Sequence, residues 1–155
     1  MPDIGDSYLR NMTAFNKNYR KYCLNAVKAY HFTPGEVDVM TFLANNPQMN
    51  TAAAISQFKN ISKPLVCKSV DSLIQKGYLT SETDSVDRRI SRLYLTEKST
   101  DIADTLRLCR QTFFAQLMAG ITEEELRIFE TVMGKMQINL ANYTNNLEER
   151  RALNE

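Results

Sequence analysis

A chain of 155 residues, 43% hydrophobic and 24% charged, is long enough to bury one core and ordinary in composition for a globular domain. It holds no apolar run long enough to cross a bilayer, and its first six residues lack the basic and apolar regions of a secretory signal, so a cytoplasmic location is expected. The formal charge is +1 but unevenly spread: residues 1–50 carry 5 basic and 4 acidic groups, 51–98 carry 8 and 5, and 99–155 carry 6 and 9. Positive charge therefore gathers in the middle third, where phosphate binding would need it.

Residues 7–30 read as a first long helix, because Tyr8, Met12, Phe15, Tyr19, Tyr22 and Ala26 fall at steps of 4, 3, 4, 3 and 4. Cys23, Val27 and Tyr30 widen that stripe beyond a single amphipathic contact. Thr33 and Glu36 form a capping box with Pro34 at the first helical position, opening a helix that turns Val37, Met40 and Leu43 inward and stops at Asn45, Asn46 and Pro47. Thr51 or Asn50 caps a short helix running to Phe58, and residues 59–61 make a turn. Ser62 caps the next helix, with Lys63 and Pro64 in its first turn, a buried face of Val66, Val70, Leu73 and Ile74, and Gly77 as its stop. Two short helices joined by a tight turn make a helix-turn-helix.

The period then changes. Residues 78–83 and 90–96, rich in Tyr, Thr, Leu and Ile, read as two strands, and between them lies a polar tip ending in Arg88 and Arg89. Thr96 caps a helix carrying Ile102, Leu106, Cys109, Phe113 and Leu117, ended by Gly120. Thr122 and Glu125 make a second capping box, and Leu126, Phe129, Met133, Met136, Leu140, Tyr143 and Leu147 follow at steps of 3, 4, 3, 4, 3 and 4. That is the seam of a helix that packs along a partner. With Met12, Phe15 and Tyr19 of the first helix it predicts a homodimer, whose two-fold axis suits a palindromic site.

The composite of residues 51–96 carries the functional reading. A helix opening with Ser62, Lys63, Pro64, Leu65 and Lys68 fits the major groove of double-stranded DNA, and a protruding loop with Arg88 and Arg89 fits the minor groove. Tyr19, Tyr22, Tyr30 and His31 are candidates for a small-molecule pocket beside the dimer helices, an aromatic group that also includes Tyr8, Phe15 and Phe32. Cys23, Cys67 and Cys109 are widely spaced and read as buried, inert thiols of a reducing compartment. A single histidine argues against a metal site. With no Gly-rich phosphate loop and no nucleophile elbow, neither enzymatic activity nor a cofactor is expected.

The run from Ser62 to Gly77, then Asp87, Arg88 and Arg89, then Leu95 and Thr96, resembles the MarR family of bacterial winged-helix regulators in order and separation, over nearly the whole chain. The resemblance implies a mainly α fold with a small β-hairpin wing: a winged helix-turn-helix flanked by long N- and C-terminal dimerisation helices. It implies one domain over 1–155, with a DNA-binding lobe over about 34–98 and dimerisation helices over about 7–30 and 100–150. It further implies a homodimeric transcriptional repressor that a small aromatic effector releases. Lys63, Pro64, Leu65 and Lys68 would face the major groove, Arg89 the minor groove, and Asp87 would hold the wing's shape. Two departures from the pattern stand out. Ser81 and Glu82 stand where a basic residue is common, which weakens backbone contacts, and Ser99 replaces a usual glycine, an exchange expected to be harmless. The competing reading is a winged helix used only as a protein-interaction scaffold, which has no need of paired arginines at the wing.

Overall fold

The computed structural model describes residues 4–152, with side chains described over 5–144. In chain order it has α1 (Ile4–Ala26), a 3-10 turn (Lys28–Tyr30), α2 (Pro34–Asn45), α3 (Ala52–Lys59), α4 (Lys63–Gln75), β1 (Leu79–Thr83), β2 (Ser91–Leu95), a second 3-10 turn (Glu97–Ser99), α5 (Thr100–Leu117) and α6 (Glu123–Ala152). The chain forms two compact units, Met1–Ala115 and Gln116–Glu155. The architecture is the expected one, mainly helical with a single antiparallel hairpin as the wing.

The core of the first unit is built around α2. Thr33 Oγ1 accepts from the Glu36 backbone N–H at 3.3 Å, and Glu36 Oε2 accepts from the Thr33 backbone N–H at 2.7 Å, so the capping box closes with Pro34 just inside it. The sequence pattern predicts one inward face for this helix. Instead, Glu36 through Ala44 are all buried, because neighbours pack on every side of it. Met40, Phe42, Ile55, Val66, Leu73, Leu79, Ile102 and Leu106 fill the centre. Gly35 lets α4 approach α2 closely: a Cβ there would lie 2.5 Å from Ser69 Oγ.

Several local expectations are corrected. Helix α1 ends at Ala26 rather than running to Tyr30, and the chain turns through His31 with a φ of 53°. Ile74 is exposed, and Ser69 takes the buried place beside Val66, Val70 and Leu73. Cys67 is only half-buried, unlike Cys23 and Cys109. Ser62 stands at the N-cap of α4, but its hydroxyl makes no capping bond. Thr96 likewise caps a 3-10 turn without a capping bond; its hydroxyl donates to the Gly77 carbonyl at 2.8 Å. Ser99 is fully buried and donates to the Tyr78 carbonyl, so its hydroxyl ties the start of the hairpin to the turn that leads into α5. A glycine would leave that carbonyl without this donor.

The second unit contains α6. Thr122 and Glu125 close their capping box, with Thr122 N–H donating to Glu125 Oε2 at 2.8 Å and Glu125 N–H to Thr122 Oγ1 at 3.2 Å. Phe129, Met136, Leu140 and Tyr143 are exposed, as are Ile128, Val132 and Ile138, whereas Leu126 and Met133 are half-buried. The side chain of Leu147, expected in the same seam, lies outside the described residues.

Candidate nucleic-acid interface

The helix-turn-helix is formed by α3 and α4. Thr51 Oγ1 accepts from the Ala54 N–H at 3.1 Å to start α3, and Asn60, with a φ of 52°, ends it in the left-handed conformation that asparagine tolerates. The turn between the helices is closed by Ile61 N–H donating to the Ser56 carbonyl at 3.1 Å and Ser56 Oγ donating to the Ile61 carbonyl at 2.6 Å. Helix α4 ends in a Schellman motif: Gly77 takes a φ of 77°, its N–H bonds the Ile74 carbonyl at 2.9 Å, and the Tyr78 N–H bonds the Leu73 carbonyl at 2.9 Å. The outer side of α4 then presents Lys63, Pro64, Leu65 and Lys68 to solvent, with Ser62 exposed before them.

A buried acid fixes α4 against α2. Glu36 Oε1 accepts from Lys76 Nζ at 2.6 Å and from Ser72 Oγ at 2.7 Å, while its other oxygen serves the capping box. Burial alone raises its pKa, but the hydrogen bonds from Lys76, Ser72 and the Thr33 backbone outweigh that and hold the carboxyl below its ordinary value. The capping-box pattern explains Glu36 locally and gives no sign of this second role.

The wing hairpin pairs Leu79 with Leu95, Ser81 with Leu93 and Thr83 with Ser91. Its tip is organised by Asp84, which sequence reasoning passed over. Asp84 Oδ1 accepts from the Val86 and Asp87 backbone N–H groups, each at 2.9 Å, and Oδ2 accepts from Arg92 Nε at 2.6 Å. These donors, with the Asp87 backbone N–H foremost, lower its pKa to about 2. An Asp at a strand end followed by small polar residues is an Asx-turn signal, so this role was open to discovery from sequence. Arg92 also reaches Asn50 Oδ1 at 3.2 Å, and the Leu93 N–H bonds the Asn50 carbonyl at 2.8 Å, so the wing is anchored to the loop before α3. Asp87 holds Arg89, accepting from its backbone N–H at 3.0 Å, Nε at 3.1 Å and Nη2 at 3.2 Å, and its carboxyl is lowered chiefly by that guanidinium. The Arg89 side chain is 90% exposed. Arg88 is exposed beside it, and Val86 at the tip is 93% exposed.

An open cavity of ≈ 660 Å³ lies among α1, α2, α3 and α5, lined by Phe15, Tyr19, Asp38, Phe58, Lys59 and Phe114 among others. Of the four residues expected to line a pocket, Tyr19 alone does so. Tyr22 packs against Phe113, and Tyr30 stacks on Phe32 at 5.7 Å, because the turn after Ala26 directs residues 30 and 31 away from the α1 stripe. Asp38 is buried and ion-paired with Arg20; its carboxyl is still raised, because burial outweighs the attraction of Lys59 and Arg20. Burial also pushes the Tyr19 phenol and the Cys23 thiol up, and takes Cys109 to about 11. Among the described residues there is no cluster of metal-ligating side chains. No helix among them is long and apolar enough to cross a membrane.

Residues 32–90 match the MarR family model. Among solved structures, the chain is similar to a MarR protein from Peptoclostridium difficile, at 20% identity and a TM-score of 0.70, with 92% of each chain covered. It is similar to a MarR-family regulator from Listeria monocytogenes in complex with a 26mer DNA, at 17% identity and a TM-score of 0.72, covering 92% of this chain and 91% of that one. A third is MarR of Staphylococcus aureus in complex with salicylate and kanamycin, at 20% identity and a TM-score of 0.66, covering 91% and 95%. The family match is confined to residues 32–90, and the likeness to these solved structures is one of fold, the winged helix-turn-helix.

Proposed function

We propose that the chain is a homodimeric, sequence-specific DNA-binding transcriptional repressor of the cytoplasm, released by a small aromatic effector. The observation that carries the reading is the joint exposure of Lys63, Pro64, Leu65 and Lys68 on one side of α4 and of Arg88 and Arg89 on a braced wing. The α4 residues are the right types to read base edges, and the arginines suit a minor groove. In this reading residues of about 34–98 form the DNA-binding lobe, and α1, α5 and α6 supply the dimer contacts through Met12, Phe15, Tyr19 and the α6 seam. The effector occupies the cavity beside Tyr19. The DNA-bound Listeria relative and the salicylate-bound Staphylococcus relative support the reading by likeness of fold.

The test is a salt titration of wild type, Lys68→Ala and Arg89→Ala on a duplex selected from random sequence and on its scrambled counterpart. Losing a base contact at Lys68 costs about 1–3 kcal/mol on the selected duplex and little on the scrambled one. Losing Arg89 weakens binding to both and reduces the salt slope by about one unit per lost phosphate contact. Unchanged affinity and slope for Arg89→Ala on both duplexes would remove the wing from the interface.

A further inference from the structure

Asn50 lies buried in the loop between α2 and α3, one residue before the Thr51 cap. The loop is closed on itself, with Met49 N–H donating to the Asn46 carbonyl and Thr51 N–H to the Met49 carbonyl, each at 3.0 Å. From that fixed point Asn50 reaches the wing twice. Its backbone carbonyl accepts from the Leu93 N–H at 2.8 Å, and its Oδ1 accepts from Arg92 Nη1 at 3.2 Å. Only the amide oxygen can face that group, because a guanidinium has donors and no acceptor. Arg92 continues through Nε to Asp84 Oδ2 at 2.6 Å, and Asp84 Oδ1 gathers the Val86 and Asp87 backbone N–H groups. Asp87 in turn holds Arg89. A continuous line of hydrogen bonds thus runs from the N-terminus of α3 to an arginine at the wing tip, and Asn50 is where it crosses into the hairpin.

We propose that Asn50 is a positioning residue for DNA binding, whose side chain aims the wing so that Arg89 and the α4 residues meet one duplex as a single pre-formed surface. The proposal rests on the reading of α4 and the wing as the DNA interface, and adds what sets the two in relation. Leu79 and Leu93 bury the base of the hairpin, and strand pairing keeps its two arms together. Neither fixes the direction of the part beyond them. From residue 81 to residue 92, Arg92 is the one hairpin side chain that hydrogen-bonds outside the hairpin among the described residues. The Leu93 bond alone gives the strand a pivot; the Arg92 bond adds a second point, and two points set a direction. A wing free to swing loses that freedom when it enters a groove, and the loss is subtracted from the affinity its contacts supply. A wing already aimed has little to lose. Removing the Asn50 side chain therefore weakens binding only through the wing's own contacts.

The experiment is a double-mutant cycle of Asn50→Leu and Arg89→Ala on the selected duplex, read by fluorescence anisotropy at fixed salt, with folding checked by melting curves. Leucine keeps the size and leaves the carbonyl bond to Leu93 in place, but offers Arg92 no acceptor; Asn50→Asp retains one. Asn50→Ala, which also lacks the acceptor, replaces the leucine variant should that chain fail to fold. Asn50→Leu is expected to weaken binding by about fivefold or more in the wild-type background and by less than about twofold in the Arg89→Ala background. Asn50→Asp should bind within about twofold of wild type. Equal losses in both backgrounds overturn the proposal, since they mean that Asn50 touches DNA itself or acts on α3 and α4. A lower melting temperature with unchanged affinity overturns it as well, leaving Asn50 a purely structural role, and so does an aspartate that fails to restore binding. If Arg89→Ala alone leaves affinity and salt slope intact, the wing is outside the interface and the proposal falls with that reading. If Arg89→Ala weakens binding and Asn50→Leu does not, the interface stands and the positioning role alone is lost.

Discussion

Glu36 is 1% exposed and accepts hydrogen bonds at both of its oxygens, from the Thr33 backbone on one side and from Ser72 and Lys76 on the other. Asp38, two residues on, is also buried and ion-paired, yet its carboxyl moves the opposite way. The difference lies in the number of donors: Glu36 has three, enough to overcome desolvation, and Asp38 has Arg20 alone. A carboxyl whose folded pKa is lowered contributes stability that is present above its unfolded pKa and is lost as pH falls through the folded value. Glu36→Gln keeps the shape but turns an amide donor toward Lys76 or the Thr33 N–H. With Lys76 partly exposed, the expected loss is about 1–3 kcal/mol near neutral pH. Urea unfolding across pH checks this: the gap between variant and wild type should narrow as pH falls from the ordinary glutamate range through the lowered value of the folded carboxyl. A gap independent of pH would mean that shape, not charge, is what Glu36 supplies.

At the scale of elements, the wing is held at its tip by Asp84, at its flank by Arg92 and at its root by Asn50. Asp84→Ala removes the acceptor of two backbone N–H groups and the partner of Arg92. Amide exchange at Val86 and Asp87 is then expected to quicken by about tenfold or more, with the α4 amides unaffected. Unchanged exchange at the tip would show that the hairpin register alone orders it. The order of elements, both capping boxes and the Gly77 stop were legible in the sequence because each is a local signal. The misread positions depend on what packs across from them. Ile74 continues the apolar pattern of α4 but faces solvent, and Ser69 is buried because Gly35 brings α2 so close that only a small side chain fits. Tyr30 and His31 extend the α1 stripe on paper, but the helix stops at Ala26 and a 3-10 turn re-aims them. The Asp38, Lys59 and Arg20 group joins three helices, and no spacing along one helix predicts it.

For the molecule as a whole, α6 leaves Phe129, Met136, Leu140 and Tyr143 exposed at heptad spacing, the amount of apolar surface that a helix covers by packing along a partner. Leu140→Arg would bury a charge in that seam, a defect that typically costs several kcal/mol when unpaired. Light scattering should give a dimer for the wild type and a monomer or aggregate for the variant; a monodisperse wild-type monomer at micromolar concentration would end the dimer proposal. The hairpin bears on assembly in a different way. Strand β2 is covered on both sides, by β1 and by the Asn50 carbonyl, whereas β1 has no strand beyond it among the described residues. That outer edge is a template on which another chain's strand can add. Its exposed run of Ser81, Glu82 and Thr83 is polar, and a copy laid alongside would bring acid near acid. Glu82 on that exposed edge thus keeps an open strand from recruiting its own kind.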